Sequence, residues 1–184
     1  MQDILPADAG SGFTSSFGPY GRGLLIASKA SAIAGGLVFV ALVLMSIVSI
    51  VGRKLISAPV PGDVELLQVC SAFASSAFFA YCHLNGGDVK VDFFTHKLAA
   101  SKVHFLDAIG SLLVGLFGAL ITWRATVGVL SVKESGETTM ILGWPLWIGQ
   151  MLMVPGFFLL ALAGLYMAAY HWNARRIALD GAKQ

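Results

Sequence analysis

The sequence predicts an all-α integral membrane protein with four transmembrane helices. Of its 184 residues, 57% are hydrophobic and only 12% are charged, less charge than a soluble domain of this size needs on its surface. About 20 apolar residues cross a bilayer as a helix. Four long stretches contain no Asp, Glu, Lys or Arg: residues 30–52, 66–87, 108–123 and 138–174. The predicted organisation is a flexible leader at 1–18, one membrane domain at 19–173 and a cytoplasmic tail at 174–184.

The first span is predicted at residues 30–51. It follows a polar leader that is rich in Gly and Ser, and it is longer than the apolar region of a secretion signal. It ends at Gly52, directly before Arg53 and Lys54, with no good cleavage site of small residues. We therefore expect a retained first helix rather than a cleaved signal peptide.

The second span is predicted at residues 64–83. Two prolines in the loop of residues 57–62 interrupt the preceding helix. Asp63 is placed to cap the new helix, and Glu65 lies in its first turn, where negative charge is favourable. The Asn-Gly-Gly sequence after the span is a strong helix terminator.

The segment of residues 88–105 is too polar to cross the membrane. Asp92 can cap a short helix in which Val91, Phe94 and Leu98 fall near one face. This pattern favours a short interfacial helix between helices 2 and 3, lying on the membrane surface. A solvated loop is the alternative that the pattern leaves open.

The third and fourth spans are predicted at residues 105–129 and 145–170. Arg124 falls inside the third, so its long side chain is expected to snorkel to the interface. The charge-free stretch around the fourth span is longer than one crossing needs, so residues 138–144 are expected to be re-entrant or interfacial. Trp147 at one end, with aromatic residues at the other, matches the aromatic belt of a membrane helix.

Lysine and arginine are distributed unequally between the two sides of the predicted membrane domain. The two loops on one side hold four of them, and the other side, with both termini and the middle loop, holds eight. Because positive residues concentrate on the cytoplasmic side, both termini are predicted to be cytoplasmic. The eight are Arg22, Lys29, Lys90, Lys97, Lys102, Arg175, Arg176 and Lys183.

The sequence contains no pattern that predicts an enzyme, a cofactor site or a metal site. No acid pair lies in the spans, and no phosphate-binding glycine loop, metal-spaced Cys/His set or nucleophile–base pair is visible. A net charge of +2 and the absence of a basic aromatic stretch argue against nucleic acid. His83, His104 and His171 are predicted at cytoplasmic span ends, where two could ligate a b-type haem. Histidines there are more often plain interfacial residues.

Small residues recur along the spans at helix-packing spacing. They fit a self-contained four-helix bundle, and they also fit docking onto a second membrane protein, which we favour because four helices need few such faces. Arg124 is the most unusual charge, and it is predicted either to pair with Glu65, Glu134, Glu137 or a partner subunit, or to be a snorkelled interfacial residue. The small residues are Ser31, Gly35, Ser71, Ser75, Ser111, Gly115 and Ala119.

Several short motifs occur in a fixed order along residues 20–172. They are Gly52-Arg53, Pro61-Gly62-Asp63-Val64-Glu65-Leu66, Phe79-Ala80-Tyr81, Val89-Lys90-Val91-Asp92 and Thr138-Thr139-Met140-Ile141-Leu142-Gly143-Trp144-Pro145-Leu146-Trp147. With four spans, this order resembles the DctQ-like small membrane subunit of tripartite ATP-independent periplasmic (TRAP) transporters. One departure is Asp88, where the family often has a histidine before the Val-x-Val-Asp element.

The resemblance implies a non-catalytic subunit of a sodium-coupled transporter in the bacterial inner membrane. It implies a large elevator-type membrane subunit that carries the substrate and sodium sites, and a periplasmic binding protein that delivers a small organic anion, a carboxylate or sugar acid. The alternatives are a membrane-anchored haem redox subunit and a small oligomeric exporter. The residues expected to make scaffold or partner contacts are Arg53, Pro61, Gly62, Glu65, Asp92, Arg124, Gly143, Pro145 and Trp147.

Overall fold

A computed structural model describes residues 17–55, 57, 59–88 and 100–181, and this part of the chain is all-α. Its four helices are each long and apolar enough to cross a membrane, which confirms the predicted class and the number of spans. The helices are α1 (Pro19–Leu55), α2 (Asp63–Leu84), α3 (Ala100–Ser135) and α4 (Leu146–Gly181).

Three of the helices extend well beyond the predicted spans. α1 has 37 residues, and α3 and α4 have 36 each, which corresponds to roughly 55 Å of helix against a hydrocarbon core of about 30 Å. Residues 174–181, predicted as tail, continue α4, and residues 100–104 already belong to α3. Charged end turns remain helical because Lys, Arg and Ala are good helix formers.

The predicted interfacial helix falls mostly outside the described residues. Residues 89–99, which include Asp92, are not described, and the segment after them is the first part of α3.

Phe17 falls in the predicted leader but is only 4% exposed. Its ring packs edge-on against Tyr166 and Tyr170 of α4, with centroid distances of 5.3 and 5.7 Å.

The four helices pack in the order α1, α2, α4, α3. The most extensive contact joins α3 to α4, followed by α2 with α4 and α1 with α2, whereas α1 touches α4 at few points. α1 and α3 therefore lie at opposite edges of an open row rather than closing a square bundle. Large apolar side chains on both edge helices are exposed, among them Leu37 at 67%, Leu44 at 59% and Leu113 at 61%.

Glycine brings the helices of this row into close contact. A Cβ on Gly164 of α4 would overlap the backbone of Gly115 in α3, and a Cβ on Gly35 of α1 would lie 2.9 Å from the carbonyl oxygen of Ala74 in α2. Ser111 of α3 is likewise buried. These small residues thus serve packing within the chain, and they give less support to docking than the sequence suggested.

Candidate functional site

The loop between α3 and α4 is bound to the first turn of α2. Glu65 accepts the backbone N–H of Ile141 at 2.8 Å through Oε1 and that of Leu142 at 3.1 Å through Oε2. Both carboxylate oxygens are therefore engaged by a segment more than 70 residues away in sequence. Hydrogen bonds to an ionised acceptor are stronger than neutral ones, so Glu65 acts as a clamp on this loop.

The clamped loop also has internal hydrogen bonds. The Thr139 N–H donates to the Trp144 carbonyl at 2.8 Å, and the Trp144 N–H donates to Thr139 Oγ1 at 3.0 Å. Thr138 and Pro145 form an isolated antiparallel bridge. Gly143 has φ +65, a left-handed conformation that glycine adopts without steric cost. The predicted re-entrant or interfacial segment is therefore a closed, hydrogen-bonded turn.

A glycine beneath this loop allows the contact with α2. Gly62 is the residue before α2 and has φ +73. A Cβ at this position would lie 2.5 Å from Cγ of Leu142, whose side chain covers the glycine. The Pro61-Gly62 turn and the α3–α4 loop consequently fit together only with glycine here.

The end of α1 is joined to the start of α2 through Asp63. Ser49 Oγ donates to Asp63 Oδ2 at 2.5 Å, and Arg53 Nη2 donates to the same oxygen at 3.2 Å. The other carboxylate oxygen accepts the N–H of Val64 at 2.9 Å. Asp63 is the first residue of α2 and Gly62 is its N-cap, so the prediction that Asp63 is the cap is wrong. Its carboxylate joins two helices instead of closing only its own.

We call this set the Glu65 junction and define it as Ser49, Arg53, Gly62, Asp63, Glu65, Ile141 and Leu142. It joins three separate segments: the last turns of α1, the first turn of α2 and the α3–α4 loop. The bonds run through backbone amides and carboxylates, so the connecting loops at this end are held in one arrangement.

Most of the predicted contact residues lie at this end of the row. Arg53, Gly62 and Glu65 belong to the junction itself. Trp147 lies in the first turn of α4, with Lys133 Nζ 5.5 Å from its ring centroid, an arrangement that permits a cation–π interaction. Pro61, Gly143 and Pro145 form the adjoining turns.

The remaining two predicted contact residues are placed differently. Asp92 lies outside the described residues. Arg124 lies on an exposed part of α3, where it borders a surface groove with Leu116, Leu120 and Trp123. Within the described ranges, no carboxylate oxygen lies within 4.0 Å of the Arg124 guanidinium, and Glu65 binds loop amides instead. None of the pairs predicted for Arg124 within the chain, with Glu65, Glu134 or Glu137, is therefore formed in these ranges, and the pair with a partner subunit stays a prediction.

Four junction residues were not among the predicted contacts: Ser49, Asp63, Ile141 and Leu142. Ser49 lies inside the apolar first span, and the residue is only 2% exposed. The available signal was its position one helical turn before Arg53, which places both side chains near one end of α1. Ile141 takes part through its backbone N–H, a group that almost every residue type has, so the sequence does not identify it.

Histidines gather at the opposite end of the helix row. His83 Nδ1 contacts the Asp88 carboxylate. His104 of α3 faces His171 of α4, with ring centroids 6.0 Å apart, and His171 Nδ1 is 4.0 Å from Asp107 Oδ2. The prediction that these three histidines share one end of the spans agrees with this arrangement.

The fold and its junction define a multi-pass membrane protein whose residues serve helix packing and loop fixation. The chain belongs to the DctQ component family of the tripartite ATP-independent periplasmic transporters, because the family model matches residues 32–174. No curated protein and no solved structure matches the chain. It is thus a small membrane component of a transporter that assembles with other TRAP components, and the haem-bearing alternative is not favoured.

Proposed function

We propose that this chain is the non-catalytic small subunit of a sodium-coupled TRAP transporter. In this proposal it braces a large elevator-type subunit in the bacterial inner membrane, and a periplasmic binding protein delivers a small organic anion, a carboxylate or sugar acid. The observation that carries the proposal is the open row of four apolar helices whose loops are fixed at one end by the Glu65 junction.

The helices lack the groups that ion-coupled transport requires at membrane depth. Between Lys29 and Arg53 of α1, between Asp107 and Arg124 of α3, and through the first 29 residues of α4, no formally charged side chain occurs. Ion and substrate pathways through a membrane use ionisable groups that face a bundle interior or a water-filled cavity. The substrate and sodium sites therefore belong to the large subunit in this proposal.

The shape of the row suits a frame. A square bundle buries its inner faces, whereas the order α1, α2, α4, α3 leaves two broad apolar faces. One face can pack against the static part of a large membrane subunit while the other meets lipid. Small tilts between helices are resisted by the glycine contacts of Gly35 and Gly164, which bring backbones together.

The charge distribution supports an outward-facing junction. Among the described residues, the half of the row with the junction carries Arg53, Lys54, Arg124 and Lys133, and the opposite half carries Arg22, Lys29, Lys102, Arg175 and Arg176. Together with the lysines that the sequence predicts for the second side, the positive-inside rule favours cytoplasmic termini. The loop tip exposes Met140 at 99% and Trp144 at 57%. We propose that this tip lies at the outer interface, within reach of the binding protein.

Reconstitution in proteoliposomes tests this function. This chain, the large subunit, or both together are incorporated, and uptake of labelled C4-dicarboxylates and sugar acids is measured with the binding protein outside and a sodium gradient. Uptake is expected only when the large subunit is present, and it should be strongest with both. Sodium-dependent uptake by this chain alone would contradict the scaffold role.

A further inference from the structure

A cluster of three metal-ligating side chains lies between α3 and α4, at the end opposite the Glu65 junction. His104 and Asp107 are three residues apart on α3 and so share one face of the helix, and His171 lies on α4. One ligand atom from each residue can be chosen so that all three lie within 4.8 Å of one another. The two helices that pack most extensively thus present three donors to one point.

The surroundings of the cluster favour a bound cation. His171 is only 4% exposed, whereas the Asp107 side chain is 23% exposed and gives access from solvent. His104 Nδ1 is buried and has no hydrogen-bond partner in the described part of the chain. A buried polar atom without a partner is costly, and coordination would satisfy it.

We propose that His104, Asp107 and His171 bind one divalent transition-metal ion, with Zn²⁺ as the natural occupant. Two imidazoles and one carboxylate form a donor set that zinc accepts, and a water molecule completes four-coordination. Tetrahedral Zn²⁺ holds its ligand atoms about 3.3 Å apart. The three ligand atoms lie within 4.8 Å of one another, so binding would require the side chains to close by up to about 1.5 Å.

Two charged side chains near this site act on a bound cation in opposite directions: Asp107 attracts it and Arg175 repels it. Asp107 supplies one negative charge, and the neutral imidazoles supply none. Arg175 lies one turn after His171, and its guanidinium carbon is 4.4 Å from the Phe105 ring centroid and 5.4 Å from that of Trp172. These two rings therefore give the Arg175 charge cation–π partners of its own.

The ion would join α3 to α4 through side chains at an end where the described loops provide no counterpart of the Glu65 junction. This inference departs from the expectation of no metal in this chain. It does not depend on the transport function, because the ligands all belong to one chain and binding can be measured without a partner.

Cobalt titration of the protein without a histidine tag tests the site. The chain is purified in detergent, stripped with a chelator and titrated with Co²⁺, and the visible ligand-field bands are recorded. One Co²⁺ per chain is expected, with the bands lost when Zn²⁺ is added. Absence of these bands in the unmodified protein would overturn the proposal, whatever the variants show.

Variants then assign the ligands. His104→Ala, Asp107→Asn and His171→Ala should each weaken Co²⁺ binding by at least about tenfold, since even an outer-shell partner of a metal ligand contributes that much. His83→Gln is the matched control, because His83 lies at the same end and contacts Asp88 instead. An equal loss in the control, or undiminished binding in all three ligand variants, would refute the assignment.

Discussion

Replacing Gly62 by alanine tests whether the Glu65 junction is a fitted contact. Gly62 has φ +73, and an added Cβ would lie 2.5 Å from Cγ and 2.8 Å from Cδ1 of Leu142. The N–H bond to Glu65 holds the Leu142 backbone in place, so only a rotation of the Leu142 side chain relieves the overlap. The substitution therefore adds backbone strain and a steric overlap at the same position.

The structure separates these two costs. A non-glycine residue in the left-handed region costs about 1–2 kcal/mol, and overpacking of a formed contact costs about 1–3 kcal/mol. Gly62→Ala should lower the free energy of unfolding by about 2–5 kcal/mol on these grounds. Gly143 has φ +65 with no atom within 4 Å of its added Cβ, so Gly143→Ala should cost only the strain, about 1–2 kcal/mol.

Unfolding by SDS titration in mixed micelles, followed by circular dichroism, measures these differences. Combining Gly62→Ala with Leu142→Ala removes the overlap, so the two substitutions should couple by about 1–3 kcal/mol, as expected for residues in direct contact. The reasoning fails if Gly62→Ala costs no more than Gly143→Ala, or if the two substitutions at positions 62 and 142 are simply additive.

Three further substitutions test other contacts. Glu65→Gln should speed amide hydrogen exchange in the α3–α4 loop, because its acceptor loses its charge, whereas Glu137→Gln should leave the exchange rates unchanged. Gly164→Ala should lower the free energy of unfolding by about 1–3 kcal/mol through contact with the α3 backbone. Gly110→Ala meets open space and should raise it by about 0.5–1 kcal/mol. Phe17→Ala should cost about 3–5 kcal/mol in the same titration; a cost below 1 kcal/mol would show that its ring is not part of the core.

The number of spans and the end of the row that carries the junction follow from the sequence. Long apolar runs identify helices because lipid requires every backbone group to be bonded within the element. Proline and glycine between α1 and α2 mark the turn, and the Thr138–Trp147 motif marks a loop that is not a plain linker. Seven of the nine predicted contact residues lie in the loops and helix ends around the junction, although the partner contacts proposed for them stay predictions.

The pairings inside the junction do not follow from the sequence. Glu65 bonds to backbone N–H groups of residues 141 and 142, and every residue except proline offers such a group, so no residue type identifies the partner. The sequence favoured a pair between Arg124 and one of three glutamates or a partner subunit, because burial of an unpaired charge in a membrane is costly. Arg124 lies on an exposed part of α3, and sequence periodicity does not encode the order in which the helices pack.

The same limit explains why the proposed metal site was not expected. His104 and His171 belong to different spans, and no short spacing links them. The pair His104 and Asp107, three residues apart at a helix end, is half of a site, and half-sites are common on solvated helix ends. Only the close approach of α3 and α4, which their glycines permit, brings the second half into reach.

The two ends of the row are held by different chemistry, and this difference bears on how a frame can be controlled. At the junction, carboxylates bind backbone amides and hydroxyls, so the contacts persist as long as Asp63 and Glu65 stay ionised. At the other end, His83 contacts the Asp88 carboxylate and His171 faces Asp107, and the proposed metal ion would bind beside them. In the proposed frame, hydrogen bonds would keep the loop end constant, and occupancy of the metal site would decide how firmly α3 and α4 are joined at the histidine end. Any regulation of the assembled transporter through this subunit should therefore act at the histidine end, and a crosslink between α3 and α4 there should alter transport more than one beside the junction.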